Sequence, residues 1–174
     1  MMEANQAVEV ILRPMELKDV EQVYAIDVLS FSLPWSERSY RFELTENKNS
    51  RPWVAEAIDA AGARQVVGML VAWIILDEAH IATIAIHPAF RRRGIGRRLL
   101  VVALEDAAIH GATKVYLEVR RNNLTAQKLY EQFGFKVTGV RPRYYIDTQE
   151  DALLMTLEPL EFKPHTCPGG REVR

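Results

Sequence analysis

The feature that most constrains this chain is the run TIAIHPAFRRRGIGRR, which extends from Thr83 to Arg98. It begins with β-branched and apolar residues typical of a strand, then passes through His87-Pro88 into arginines and two glycines. Apolar residues recur at helical spacing from Ile95 to Ala107. The order predicts a strand, a glycine-containing loop and a helix that begins at Gly94 and ends near His110.

The two glycines of this loop predict an anion-binding site. Gly94 and Gly96 allow the backbone to approach a ligand closely and to direct its N–H groups toward it. A helix N-terminus adds unpaired donors and the positive end of the helix dipole. Five arginines crowd this helix end, where their charge opposes the dipole: Arg91, Arg92, Arg93, Arg97 and Arg98. A bound diphosphate would account for them, and the alternative is a solvated basic helix end with an ordinary glycine turn.

Three phosphate-binding motifs can be compared with this loop. A nucleotide-triphosphate P-loop requires Lys-Ser/Thr where this chain has Arg97-Arg98. A dinucleotide fingerprint requires a third glycine where this chain has Leu99. The spacing Arg91-x-x-Gly94-x-Gly96 after a strand instead resembles the acetyl-CoA pyrophosphate signature of the GNAT acetyltransferases.

Composition narrows the remaining classes of protein. With 174 residues, 48% of them hydrophobic, the chain is long enough for one domain with a substantial core. The net charge of −1 gives no general basic field, so no nucleic-acid partner is expected. The longest apolar run, Val66 to Leu76, is too short for a membrane helix, and no secretory signal is evident. We therefore expect a cytoplasmic protein without a membrane partner.

The cysteine and histidine residues do not suggest a metal or a disulfide. The single cysteine, Cys167, lies in a Pro/Gly-containing C-terminal stretch that we expect to be a mobile tail over residues 161–174. The four histidines lack metal-ligand spacing, and ordinary loop or strand-end roles are expected for them: His80, His87, His110 and His165. No metal cofactor is predicted.

The periodicity of the chain predicts the element order β-α-α-β-β-β-α-β-α-β-β. The predicted strands are Val8 to Arg13, Trp53 to Ile58, Gln65 to Leu76, His80 to His87, Lys114 to Arg120, Phe135 to Val140 and Asp151 to Leu157. Besides the helix after Gly94, the predicted helices extend from about Leu17 to Ser30, from Ser36 to about Thr45, and from about Leu124 to Phe133. This order indicates an α/β domain with a mixed, mostly antiparallel sheet flanked by helices.

The same order is that of the GNAT fold, and the resemblance covers nearly the whole chain, which we assign as a single domain over residues 8–160. Within that superfamily the chain resembles the ribosomal-protein-alanine N-acetyltransferases. The resemblance is carried by Phe31 to Trp35 with Ser36-Glu37, LDEAHIATIAIHP, LEVRRNN, LYEQFGF and Arg143 to Tyr145.

The resemblance implies acetyl-CoA as the cosubstrate and assigns the residues that contact it. Ile84, Ala85 and Ile86 would lie along the pantetheine arm, with the Ile86 N–H directed at the thioester carbonyl, although the same segment is also typical of a core strand. The pyrophosphate would lie against Arg92, Arg93, Gly94, Ile95, Gly96 and Arg97. Asn123 would contact the cofactor further along.

Glu118 is the candidate general base. It lies on the polar side of a strand whose other side is apolar, where a buried carboxylate is costly unless it has a partner or a function. From the residues alone, a simple ion pair with Arg120 on the same side explains it equally well. The resemblance favours a base that removes a proton from an α-amine, whose ordinary pKa is about 8.

Tyr130 is the candidate general acid, because a phenol of ordinary pKa about 10 can protonate a departing thiolate. Its helical apolar stripe, with Ala126, Leu129 and Phe133, is more typical of a core residue. The match of LYEQFGF to the family favours the acid.

Aromatic residues in loops expected beside the amine-entry side complete the predicted site. Trp35, Tyr144 and Tyr145 would hold a peptide N-terminus, or would cover the core as packed loop residues. The resemblance implies acetyl transfer to a protein N-terminus, such as the alanine of a small-subunit ribosomal protein, by direct attack in a ternary complex. Another peptide, a lysine, a small amine, or a non-catalytic acyl-CoA-binding module remain alternatives.

Overall fold

The computed structural model of this chain describes residues 8–161. Seven strands are present: β1 Glu9–Pro14, β2 Ser50–Ile58, β3 Arg64–Ile75, β4 Glu78–Ile86, β5 Lys114–Arg120, β6 Lys136–Tyr145 and β7 Glu150–Leu157. The four α-helices are α1 Val20–Ser30, α2 Glu37–Thr45, α3 Ile95–Ile109 and α4 Leu124–Gln132. The predicted element order is confirmed. Cys167, His165 and all but the first residue of the predicted tail lie outside the described residues.

Three predicted boundaries differ from the structure by three residues or more. Leu17 to Asp19 form a 3-10 turn ahead of α1, because the Glu16 and Asp19 side chains form a capping box there. β2 begins at Ser50 rather than Trp53, since its pairing with β3 continues through Pro52. The segment from Arg141 to Tyr145, predicted as loop, belongs to β6, and its pairing with β7 is irregular there.

The strands form one sheet in the order β1-β2-β3-β4-β5-β7-β6. Five neighbouring pairs are antiparallel, and β4 with β5 is the parallel pair. This confirms the predicted mixed, mostly antiparallel sheet.

The parallel pair separates halfway along. β4 and β5 are paired only from Glu78–Lys114 to Ile81–Leu117. The C-terminal part of β4 remains paired with β3, and that of β5 with β7. A gap therefore opens in the middle of the sheet between the ends of β4 and β5.

The two faces of the sheet carry separate cores because side chains alternate along each strand. One face packs against α1 and α2, and its core includes Val54, Met69 and Ala85. The other packs against α3, and its core includes Leu70, Leu99, Leu117 and Tyr130. Helices therefore cover both faces of the sheet at β4, the strand on one border of the gap.

Leu99 on α3 provides a test of this packing. Its side chain is fully buried, whereas Ile109 at the end of the same helix is 78% exposed. We expect Leu99→Ala to lower the free energy of unfolding by about 3 kcal/mol, through lost burial and an unfilled cavity. Ile109→Ala is the matched control, with an expected change below about 0.5 kcal/mol. Urea denaturation of both variants measures the difference, and equal stabilities would contradict this placement of α3.

Candidate active site

The gap between β4 and β5 exposes backbone hydrogen-bonding groups of β4. The His87 N–H donates to the Val67 carbonyl of β3 at 2.8 Å. In an antiparallel ladder, the N–H and C=O groups of successive residues point alternately to one side of the strand and to the other. Because those of His87 point to β3, those of Ile84 and Ile86 point away from β3, toward β5. The segment Ile84, Ala85 and Ile86 is the core strand that the sequence predicted, and its contact with the pantetheine arm stays a prediction. Its side chains pack into the two cores, and its outward backbone groups line the gap.

The loop before α3 forms a set of unpaired N–H donors. Gly94 caps α3 in the left-handed conformation, at φ 75°, and Arg92 is also left-handed, at φ 65°. Within residues 8–161, the N–H groups from Arg92 to Arg97 have no backbone or side-chain acceptor, and the first donor with one is Arg98, which bonds to Gly94. Consecutive free N–H groups at a helix N-terminus are suited to bind phosphate oxygens.

The arginines of this loop differ in their contacts. In the described part of the chain none of the five forms an ion pair with a carboxylate. The guanidinium of Arg93 lies 5.0 Å from the Phe90 ring centroid. Arg97 donates to Gln132 at 2.9 Å. Arg98 instead reaches the Val10 carbonyl at 2.8 Å, which makes it a structural contact to β1.

Gly96 and Asn123 border the same cleft. A Cβ added to Gly96 would be 3.7 Å from Ile86 Cγ1 and 4.0 Å from Leu129 Cδ2, so the residue faces the space between β4 and α4. Asn123 is the N-cap of α4, and its Oδ1 accepts from the Ala126 N–H at 3.1 Å. Its side-chain amide retains N–H donors for a ligand.

Glu118 lies beside the gap on the face of α1 and α2. Its neighbours Leu117 and Val119 point into the opposite core. Its carboxylate is hydrogen-bonded to His80 Nε2 at 2.6 Å and is 3.2 Å from the Arg141 guanidinium. The His80 hydrogen bond, opposed by partial burial, holds the pKa of Glu118 below its ordinary value, so the carboxylate is ionised at neutral pH.

The alternative prediction for Glu118, an ion pair with Arg120, is wrong. Arg120 shares its face of β5 but pairs with Asp147 at 2.9 Å and with Glu150 at 3.3 Å. These carboxylates lie across the β6–β7 turn, 27 and 30 residues later in the chain. Alternation along β5 identified the shared face but not this long-range pairing.

His80 is a site residue that the sequence analysis missed. Its ring stacks on Tyr116 with centroids 4.6 Å apart and meets Trp73 edge-on at 5.3 Å. Its register on β4 opposite Tyr116 places it two residues from Glu118 on the neighbouring strand. Only the pairing of β4 with β5 reveals this contact, because His80 and Glu118 are 38 residues apart.

Tyr130 lies in the core of the α3 face, on the other side of the sheet from Glu118. It is 6% exposed and packs against Phe135, with ring centroids 5.9 Å apart. Burial raises the pKa of its phenol above the ordinary value, so the hydroxyl stays protonated over the whole working range of pH. The core placement is therefore confirmed, and its protonated hydroxyl is compatible with a general acid.

The predicted substrate-binding aromatics lie on two elements. Trp35, in the loop between α1 and α2, stacks on Trp73 at 6.3 Å and borders a groove of about 430 Å³ with Phe42 and Trp73. Tyr144 and Tyr145 lie at the end of β6 and not in a loop, because the strand is longer than predicted. Tyr145 lies under the Arg120 guanidinium, 3.9 Å from its ring centroid.

The described residues, 8–161, hold neither a metal-ligand cluster nor a membrane-spanning helix. No cluster of three or more His, Cys, Asp or Glu side chains suited to a metal ion is found there. No helix in this range has the length and apolar character needed to span a membrane.

The chain is similar to proteins of a known family. The model of the acetyltransferase (GNAT) family matches residues 20–135. A Bacillus subtilis protein, provisionally named a ribosomal protein bS18-alanine N-acetyltransferase, is 38% identical over 83% of this chain and 92% of its own length. The Escherichia coli enzyme of that name is 30% identical over 82% of this chain and 93% of its own length. The chain therefore belongs to the GNAT acetyltransferase family, and it is an N-acetyltransferase.

Solved structures agree with this assignment. The crystal structure of the E. coli ribosomal-protein-S18-alanine N-acetyltransferase superposes with a TM-score of 0.76 at 27% identity, covering 91% of this chain and 99% of the other. Arabidopsis thaliana NAA60 in complex with acetyl-CoA shares the fold, with a TM-score of 0.76 at 18% identity, over 86% and 99% of the two chains. The predicted GNAT fold is confirmed.

A substitution at Gly96 tests whether the loop before α3 binds the pyrophosphate of acetyl-CoA. In Gly96→Val, the added methyl groups would enter the cleft between Ile86 and Leu129 and keep a pyrophosphate from the backbone. We expect acetyl-CoA to bind about 10- to 100-fold more weakly, the size expected for loss of charge-assisted hydrogen bonds. In the control Gly96→Ala, the added Cβ makes ordinary contacts, so the loss should be smaller. Calorimetric titration of the two folded variants measures this, and unchanged affinity in Gly96→Val would remove the pyrophosphate assignment.

Proposed function

We propose that this enzyme transfers the acetyl group of acetyl-CoA to the N-terminal α-amine of a protein, with the alanine of a small-subunit ribosomal protein as substrate. The observation that carries the proposal is the Glu118 carboxylate, which His80 holds by a 2.6 Å hydrogen bond beside the gap between β4 and β5. The printed names of the B. subtilis and E. coli relatives support the substrate. A ribosomal protein substrate implies a cytoplasmic enzyme.

In this proposal the loop before α3 and strand β4 bind acetyl-CoA. The pyrophosphate accepts hydrogen bonds from the free N–H groups between Arg92 and Arg97, and the arginine side chains there add positive charge. The pantetheine amides pair with the outward backbone groups of Ile84 as an added strand would. Arg91 Nε already donates to the Ile86 carbonyl at 3.0 Å, which leaves the Ile86 N–H for the thioester oxygen.

Glu118 and His80 prepare the nucleophile. An α-amine of pKa about 8 is mostly protonated at pH 7 and must lose a proton before it attacks. The Glu118 carboxylate accepts that proton, directly or through one water, while the hydrogen bond to the His80 ring holds the carboxylate in place. The aromatic row of Trp35, Trp73 and His80 leads from the groove to this carboxylate.

Tyr130 acts on the leaving group. The amine attacks the thioester carbon directly, the tetrahedral intermediate collapses, and the thiolate of CoA departs. Because Glu118 and Tyr130 lie on opposite faces of the sheet, a thioester in the gap meets the base from one side and the acid from the other. The Tyr130 phenol donates its proton to the departing sulfur, and no acyl-enzyme forms.

Glu118→Gln tests the base. We expect turnover to fall by roughly 100- to 10,000-fold at pH 7, and the loss to shrink toward pH 9, where the amine is already neutral. Because the pKa of Glu118 lies below its ordinary value, the wild-type rate should fall from pH 8 to pH 6 through protonation of the amine and not of Glu118. Measured pH–rate profiles decide this.

Two further variants provide a control for Glu118→Gln and a test of the general acid. Glu78→Gln removes an exposed carboxylate that pairs with Lys114 at the far end of β4, and it should leave turnover unchanged. Tyr130→Phe should slow the reaction with little recovery at high pH, because it affects departure of the thiolate. Near-normal rates in both Glu118→Gln and Tyr130→Phe would leave catalysis to positioning alone and contradict the proton-transfer roles.

A peptide panel tests the substrate class. The α-amine is closer to neutral at pH 7 than a lysine of pKa about 10.4, and a small first residue suits the crowded aromatic groove. We expect a short peptide with a free N-terminal alanine to react faster than the same peptide with a blocked N-terminus and an internal lysine. Initial rates of CoA release, with a polyamine and an aminoglycoside alongside, provide the comparison. Faster reaction of the lysine peptide or a small amine would contradict the proposed N-terminal substrate, and only the assignment to the acetyltransferases would remain.

A further inference from the structure

The candidate base Glu118 has a partner on each of its two carboxylate oxygens. Its Oε2 is 2.6 Å from His80 Nε2, and its Oε1 is 3.2 Å from Arg141 Nη2. The Glu118 side chain is only 10% exposed, which limits access to these oxygens. The proposed mechanism needs one of them to accept a proton from the acceptor amine, directly or through a water. One of the two partners therefore has to move aside first.

The two partners are held with very different firmness. The His80 ring stacks on Tyr116 with centroids 4.6 Å apart and meets Trp73 edge-on at 5.3 Å, and its side chain is 18% exposed. The Arg141 side chain is 50% exposed. Its guanidinium also lies 5.9 Å from the ring centroid of Tyr144, whose face attracts a cation. Arg141 is therefore the partner that can move, and Oε1 is the oxygen that it frees.

An amine can replace Arg141 without a change in the charge around Glu118. An α-amine of pKa about 8 arrives mostly as an ammonium ion at pH 7. Its positive charge takes the place of the guanidinium beside Oε1, so the carboxylate keeps a cation on that side. A water molecule is neutral, and its entry there would leave a largely buried carboxylate with less compensation, which is costly. The contact should therefore yield to an amine more readily than to water.

Water is the competitor that a base at a thioester has to exclude. A carboxylate that accepts a proton from an amine can also accept one from water. The water oxygen would then attack the thioester carbon, the carbon–sulfur bond would break, and the thiolate would take the proton of Tyr130. The products are acetate and CoA. Such hydrolysis would consume acetyl-CoA whenever no acceptor is bound.

We propose that Arg141 blocks Glu118 until an amine is bound. In the absence of an acceptor, its guanidinium occupies the place beside Oε1 and keeps the base from activating water. When a peptide enters, its ammonium group takes that place, and the guanidinium moves toward the face of Tyr144. Arg141 is thus a positioning residue that acts through Glu118. This inference rests on the proposed function, since it takes Glu118 as the base.

The test measures release of CoA from acetyl-CoA by the full chain, first without an acceptor and then with the N-terminal alanine peptide. Arg141→Met and Arg141→Ala each remove the positive charge, the first with a side chain of similar length. Arg141→Lys keeps the charge. Lys136→Met is the matched control, because Lys136 is an exposed cation at the opposite end of β6, across from Thr156 of β7.

We expect the acceptor-free rate to rise about three- to tenfold in Arg141→Met and Arg141→Ala, between the effect of an exposed ion pair and that of a buried one. Arg141→Lys and Lys136→Met should stay close to the wild-type rate. Addition of Glu118→Gln to Arg141→Met should abolish the rise, because the water then lacks its base. With the peptide, Arg141→Met should lower KM and leave kcat nearly unchanged, since the ammonium no longer displaces another cation.

An unchanged acceptor-free rate in Arg141→Met and Arg141→Ala would overturn the proposal. A rise of equal size in Lys136→Met, or one that persists when Glu118→Gln is added, would overturn it too. So would a higher KM for the peptide in Arg141→Met, since Arg141 would then bind the acceptor. Normal peptide turnover in Glu118→Gln alone would instead contradict the proposed function, so the two failures are distinguishable.

Discussion

The separation of β4 from β5 after four paired residues is the constraint on which the rest of this site depends. A fully paired parallel ladder would use the backbone groups of Ile84 and Ile86 for the sheet itself. Because the strands diverge while each keeps its other neighbour, those groups are exposed without loss of the sheet. On the β4 border of the gap, α1 packs against one face of β3 and β4 and α3 against the other.

Opposite electrostatic environments occupy the two borders of this gap. On one border, the free N–H groups from Arg92 to Arg97 and the unpaired arginines favour a polyanion. On the other, the Glu118 carboxylate keeps its charge through His80 and Arg141. In the proposed mechanism, Tyr130, buried and protonated on the far face, is the third group that acetyl transfer needs.

The sequence predicted most of the fold and the local parts of the site. Strand and helix periodicity and the glycine loop are encoded in neighbouring residues, so the element order and the helix beginning at the loop were correct. The contacts missed are long-range: His80 with Glu118, and Arg120 with Asp147, join residues 38 and 27 positions apart. Alternation along one strand indicates a face but not the register of the next strand. The length of β6 was also missed, since its exposed, proline-containing end lacks an apolar pattern.

The central claim is that the thioester lies in the gap between β4 and β5, with the acceptor amine on the side of Glu118. A crystal structure with a conjugate of CoA joined through an acetyl linker to an N-terminal alanine peptide tests it most directly. The account predicts pyrophosphate oxygens on the N–H groups between Arg92 and Arg97, the linker carbonyl on the Ile86 N–H, and the peptide nitrogen beside Glu118. A conjugate whose pantetheine arm bypasses β4, or whose peptide leaves on the Tyr130 side of the sheet, would contradict it.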